Sequence, residues 1–131
     1  MQTQTTPLDE SGAPTPRVEV HGRFHVVTLT GEVDLAVAGA VRTCLRELMV
    51  AGASHVLVDL REVTFMDSMG LGVLVAARKQ ARVFRGSFGL VAPSPPVARV
   101  LSLTSLDKFL PSFASVDEAL ADPAADLEPS A

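Results

Sequence analysis

The chain has 131 residues, 47% of them hydrophobic and 20% charged, which is enough for one domain with an ordinary core, too short for two, and too apolar for a disordered polymer. Five of its 15 acidic residues, Asp9, Glu10, Asp122, Asp126 and Glu128, lie outside residues 17–121, which hold all 11 basic ones. That span is nearly neutral and has no clustered cationic excess, so no direct nucleic-acid partner is expected.

Residues 1–16 are rich in Thr, Gln and Pro and lack both the basic start and the apolar stretch of a signal peptide. They are expected to form a flexible tail, as is the Ala-, Pro- and acid-rich stretch 122–131, leaving 17–121 as the single domain. Apolar and polar residues alternate on either side of His21-Gly22, with Val18, Val20, Phe24 and Val26 among the β-formers. This predicts a β-hairpin with a two-residue turn at that pair. Val37, Val41, Leu45 and Leu48 then recur at helical spacing up to a stop at Gly52. Cys44, the only cysteine, lies inside that apolar pattern, which suits core packing and excludes an internal disulfide.

The run from His55 to Met66 begins almost continuously apolar, as a central strand covered on both faces does. A second helix is predicted from about Met69 to Phe84, a strand in FGLVAPS, and a third helix opening on Pro95-Pro96. LPSFAS reads as a short strand. Val116 to Ala121 reads as a last helix, with Ser115 and Glu118 spaced as in a capping box. The order ββαβαβαβα predicts a single-domain α/β fold with about four helices. Its sheet is mixed and mostly parallel, behind an N-terminal hairpin. The longest apolar segment, Leu71 to Ala77, falls far below the roughly 20 residues that span a bilayer, so membrane insertion is not expected and a cytoplasmic location is.

The chemistry concentrates in Phe65-Met66-Asp67-Ser68-Met69-Gly70-Leu71-Gly72-Val73-Leu74, where a hydroxyl falls at the passage from a central strand into a helix. In open α/β sheets functional groups gather beyond the carboxyl ends of the strands, and a helix N-terminus there tolerates a phosphoryl group. Ser and Asp are also the commonest N-caps, so spacing alone favours the plain reading that Ser68 only satisfies the helix backbone. Gly70-Leu71-Gly72 lacks the third glycine of a dinucleotide fingerprint and the Lys-Ser/Thr of a P-loop, and reads instead as close packing or close partner approach. Ser68 is in no Gly-x-Ser-x-Gly elbow and no histidine follows it, which argues against a serine hydrolase. His21 and His25 read as sharing a strand face and His55 as opening a strand; with no carboxylate at ligand spacing, no metal and no cofactor are expected. If Leu71, Leu74 and Val75 face the sheet, Met69, Gly72, Val73 and Ala76 form an exposed apolar strip beside Ser68. Arg78, Lys79, Arg82 and Arg85 read as a basic stripe further along.

At these residues the sequence resembles the STAS domain family, in particular the bacterial anti-sigma factor antagonists. The family signature Asp-Ser-Ser/Thr-Gly-Leu/Ile-Gly-x-Leu appears as Asp67 to Leu74, and the earlier Gly-Glu-Leu/Ile-Asp as Gly31-Glu32-Val33-Asp34. The resemblance runs from about 17 to 121. It implies a binding protein rather than an enzyme, with Ser68 phosphorylated by a partner that is both anti-sigma factor and GHKL-type serine/threonine kinase, and dephosphorylated by a PP2C-type phosphatase. The implied partner surface comprises Asp34, Asp67, Ser68, Met69, Gly70, Gly72, Val73 and Ala76. Met69 departs from the signature by replacing its second Ser or Thr. The alternative implied by the same resemblance is a STAS subunit of a stressosome or of a lipid-transporting ABC system.

Overall fold

The computed structural model describes residues 16–122; the expected tails 1–16 and 122–131 lie outside the described residues except for Pro16 and Asp122. Strands β1 (Arg17–His21) and β2 (Phe24–Val33) form the hairpin. They are followed by α1 (Leu35–Val50), β3 (His55–Met66), α2 (Ser68–Val83), β4 (Ser87–Val91), α3 (Pro95–Leu103), a 3-10 turn at Leu106–Lys108, β5 (Ser112–Phe113) and α4 (Val116–Ala121). The sheet keeps sequence order, β1-β2-β3-β4-β5, with β1 antiparallel to β2 and every other neighbour parallel. Because right-handed crossovers that advance in one direction must pass over the same face, α1, α2 and α3 all cover one side.

Strand alternation divides the core accordingly. Val27, Val56, Val58, Phe88 and Leu90 pack under the three crossover helices, where Val41, Leu45, Leu74, Ala77, Val97 and Leu101 meet them. Phe24, Val26, Leu57 and Val91 point the other way, against Ala119 and Leu120 of α4. The α1 stripe is turned slightly from its expected setting: Ala38, Val41, Leu45 and Met49 are buried, while Val37, Cys44 and Leu48 pack at the margin. Burial, with Glu47 nearby as the smaller cause, pushes the Cys44 thiol above its ordinary pKa.

Two features depart from the alternating pattern. The hairpin turn is Gly22-Arg23, one residue beyond the expected pair, because His21 pairs with Phe24 and Gly22 takes the positive φ of 60°. His25 pairs with Val20, so His21 and His25 stand on opposite faces and share none. In addition, β3 carries an extra residue against β2 at two places, between Thr28 and Thr30 and between Gly31 and Glu32, where Gly31 has φ 74°. The buried residues Leu60, Val63 and Met66 therefore recur every third position instead of every second.

At the opposite end of the sheet, β4 begins almost in contact with the preceding connection. Ser87 N–H donates to Ser54 C=O at 2.7 Å, and a Cβ built on Gly86 falls 1.8 Å from that same oxygen. Only backbone movement relieves such an overlap. Gly86→Ala is expected to cost about 3 kcal/mol or more, or to prevent soluble expression, as read by urea unfolding; stability within about 0.5 kcal/mol of wild type contradicts this packing.

Candidate functional site

The last residues of β2 and β3 are register partners, Val33 with Met66, and each strand runs straight into a helix through one aspartate. Asp34 caps α1, its Oδ1 accepting from Ala36 N–H at 3.0 Å. Asp67 caps α2, its Oδ1 accepting from Met69 N–H at 3.0 Å and Gly70 N–H at 3.1 Å. Val33 C=O accepts from Asp67 N–H at 3.3 Å, so a main-chain bond joins the two strand ends. Neighbouring strands are only about 5 Å apart, which brings both aspartates together beyond the carboxyl ends of β2 and β3. Gly70 is what lets α2 start this close. A Cβ there meets Met66 Cγ at 2.7 Å and Val33 O at 2.9 Å.

The cap question left open by the sequence is thereby decided. Asp67 is the N-cap and Ser68 is the first helical residue, exposed, with no hydrogen bond to its hydroxyl among the described residues. Ser68 opens a shallow groove of about 490 Å³ between α2 and the 3-10 turn, with Leu71, Gly72, Val75 and Ala76 along it, Leu106 on the far wall and Lys79 at its end.

The residues singled out from sequence divide into two groups. Ser68, Met69, Gly72 and Ala76 are exposed on α2, and Asp34 and Asp67 are half-buried at its mouth. Gly70 and Val73 are buried. Val73 is 2% exposed because the packing of α1 against α2 turns it into the core, so the exposed strip runs through Met69, Gly72 and Ala76, with Val75 half-buried beside it, and excludes Val73. The basic stripe also loses a member. Arg78 is 8% exposed, its Nε donates to Phe109 C=O at 3.2 Å and its guanidinium lies 5.7 Å from the Phe109 ring, so it secures the segment after α3.

Sequence reasoning did not assign to the site two exposed apolar side chains at this end of the sheet, Leu35 (70% exposed) and Phe65 (48%), or the half-buried Leu106. Leu35 directly follows the Asp34 cap and Phe65 directly precedes Met66, so proximity to the two motifs was a usable signal for both. Leu106 reaches the site through the 3-10 turn, and no local pattern announces that. The histidines lie elsewhere: His55 Nδ1 is 2.7 Å from Ser87 Oγ, and His21 Nε2 is 3.2 Å from Glu19 Oε1.

The STAS domain family model matches residues 15–119, nearly the whole described span. The chain belongs to the STAS domain family. An anti-sigma F factor antagonist of Paenibacillus polymyxa is 30% identical over 106 residues, covering 80% of this chain and 91% of that protein. The anti-sigma-F factor antagonist RsfB of Mycobacterium tuberculosis is also 30% identical over 106 residues, covering 81% of this chain and 86% of its own. Among solved structures, an anti-sigma factor antagonist from Mycobacterium paratuberculosis superposes with a TM-score of 0.73 at 34% identity, over 81% of this chain and 90% of that one. The α/β sheet with its N-terminal hairpin is therefore the STAS fold of the anti-sigma factor antagonists. Among the described residues, no helix is long and apolar enough to cross a membrane.

The capping geometry of this STAS domain separates the two neighbouring residues by their effect on stability. Asp67→Ala is expected to lower unfolding free energy by about 1 kcal/mol, the usual effect of losing a cap, and Ser68→Ala to change it by less than about 0.5 kcal/mol. Urea denaturation followed by circular dichroism reads both; a larger loss from Ser68→Ala means the hydroxyl supports the helix after all.

Proposed function

We propose that this STAS domain is a cytoplasmic anti-sigma factor antagonist that binds an anti-sigma factor carrying a GHKL-type serine/threonine kinase domain, and that phosphorylation of Ser68 ends the binding. Sigma-factor-dependent transcription is the process regulated. Occupation of the anti-sigma factor is the output, and the domain itself performs no chemistry. The observation that carries the reading is the state of Ser68: an exposed hydroxyl with no hydrogen bond, set in the first turn of a helix beside an open apolar groove.

In the modifying step, Ser68 Oγ forms a bond to the γ-phosphorus of ATP as the bond from that phosphorus to the β-γ bridging oxygen breaks. ADP leaves and the hydroxyl proton passes to a base of the kinase. The product carries nearly two negative charges. Asp67 already holds the N–H groups of Met69 and Gly70, so of the first three helical N–H groups only that of Ser68 itself is open to the phosphate. The phosphate projects toward the surface that the partner covers, with Asp34 and Asp67 as like-charged neighbours. A PP2C-type phosphatase reverses the step by hydrolysis.

Wild-type, Ser68→Ala and Ser68→Asp proteins used as paired baits test the reading. Wild type and Ser68→Ala are expected to capture the same anti-sigma factor, and Ser68→Asp to bind it about a hundredfold more weakly by calorimetry, equivalent to about 2.7 kcal/mol. ATP added to the wild-type complex is expected to yield a phosphopeptide containing Ser68. Equal affinities of the Ala and Asp proteins sink the switch, and capture of a transporter ATPase in place of an anti-sigma factor sinks the partner.

Gly72 offers a separate check, because no atom lies within 4 Å of a Cβ added there. Gly72→Ala is expected to stabilise the domain by about 0.5–1 kcal/mol through helix propensity. If the partner's backbone closes on this ridge, the same substitution weakens binding about tenfold; undiminished affinity removes Gly72 from the contact surface.

A further inference from the structure

A second depression lies on the outward side of the α1–α2 contact. Its volume is about 150 Å³, and it is lined by Arg42 and Arg46 of α1 and by Val73, Ala76 and Gln80 of α2, among others. Ala76 also lines the groove that starts at Ser68, so the two depressions lie on either side of one ridge. Arg42 and Arg46 are exposed and one helical turn apart, and neither has an ion-pair partner among the described residues. The same holds for Lys79, which closes the Ser68 groove.

A carboxylate three or four residues away stabilises a solvated cation on a helix. Here those positions hold Ala38, Gly39, Thr43, Leu45, Met49 and Val50 around the two arginines, and Val75, Ala76, Arg82 and Val83 around Lys79. Two arginines at i and i+4 repel each other and weaken the free helix. Glu32, Asp34 and Asp67 stand at the other end of this surface. Ser68 and Lys79 are separated by roughly 16 Å of helix. The face is thus polarised, acidic at the strand ends and cationic two to three turns away.

We propose that Arg42, Arg46 and Lys79 form a second contact for the anti-sigma factor, taking an acidic segment of that partner with at least two carboxylates, while its apolar element lies in the Ser68 groove. This rests on the function proposed above and adds the partner's polarity and orientation to it. A guanidinium fork matches a carboxylate bidentately, and the Gln80 amide supplies a further donor beside the arginines. At this distance from Ser68, beyond a Debye length of about 8–10 Å, the contact is largely insensitive to a phosphate there. It acts mainly on encounter, steering modified and unmodified protein alike.

The test uses the full chain and the purified anti-sigma factor captured by wild type, with association and dissociation followed across a salt series. The Arg42→Glu/Arg46→Glu protein is expected to associate about tenfold more slowly with a shallower salt dependence and a nearly unchanged dissociation rate. Lys79→Glu is expected to act in the same direction, and a carboxylate-to-lysine change in the partner to restore the rate. The Arg42→Gln/Arg46→Gln protein replaces the double reversal if the latter melts early. An unchanged association rate, or slowing without any change in salt dependence, overturns the inference; if Ser68→Asp still weakens binding about a hundredfold, the functional reading stays intact. Indifference of binding to Ser68→Asp overturns that reading instead, and an absence of any anti-sigma factor bound to wild type overturns both.

Discussion

One short stretch of main chain holds the site together: Val33 C=O receives Asp67 N–H at 3.3 Å, and Gly70 lies close enough to Val33 and Met66 that a Cβ there would overlap both. This places the Gly31–Asp34 turn beside the Asp67–Gly70 turn, although more than thirty residues separate them in sequence. Two bulges in β3 are needed to reach that register, since each extra residue delays the strand until Met66 stands opposite Val33. A regular pairing would leave the two aspartates out of step along the strands. The positive φ at Gly31, beside the second bulge, belongs to the same arrangement.

Helix α2 serves the core and the surface at once, and its composition reflects both demands. Leu71, Val73, Leu74 and Ala77 are buried against the sheet and α1, which fixes the helix rigidly. The outward arc then carries Ser68, Met69, Gly72, Ala76 and Lys79, a set dominated by small or flexible side chains. Because packed cores deform little, a charge added at Ser68 changes the surface without loosening the domain beneath it. A binding switch on such a scaffold acts through contact chemistry alone.

The order of strands and helices was legible because periodicity reports burial directly, and the helix opening on Pro95-Pro96 followed from backbone restriction. The neighbourhood of Asp34, Asp67 and Ser68 was legible only through the paired motifs, since their meeting depends on a register that alternation does not predict. Val73 was misplaced for a related reason: a helix apolar nearly all round offers no polar stripe to set its rotation, and the neighbouring α1 decided it. Arg78 was read as a surface charge because its partner, the carbonyl of Phe109, is 31 residues away and carries no side-chain signature. Leu35 and Phe65 were within reach of a reading that weighed their place beside the two motifs, whereas Leu106 escaped because it meets α2 only through the 3-10 turn.

Magnitudes decide whether a phosphate at Ser68 suffices as the proposed signal. Covering it with an apolar partner strands a charge at a cost on the order of 3–5 kcal/mol. A helix N-terminus usually returns about 0.3–1 kcal/mol to a nearby anion, too little to offset that cost, and the Asp67 carboxylate already takes up the Met69 and Gly70 N–H groups. Met69 has a separate effect. A hydroxyl in its place keeps part of its hydration when a partner docks, whereas the thioether, 40% exposed, gains roughly 1–2 kcal/mol on being covered. That gain is common to the unmodified and the modified complex, so in the proposed switch the exchange of Ser or Thr for Met sets how tightly the partner binds, while the charge on Ser68 sets the gap between the two states.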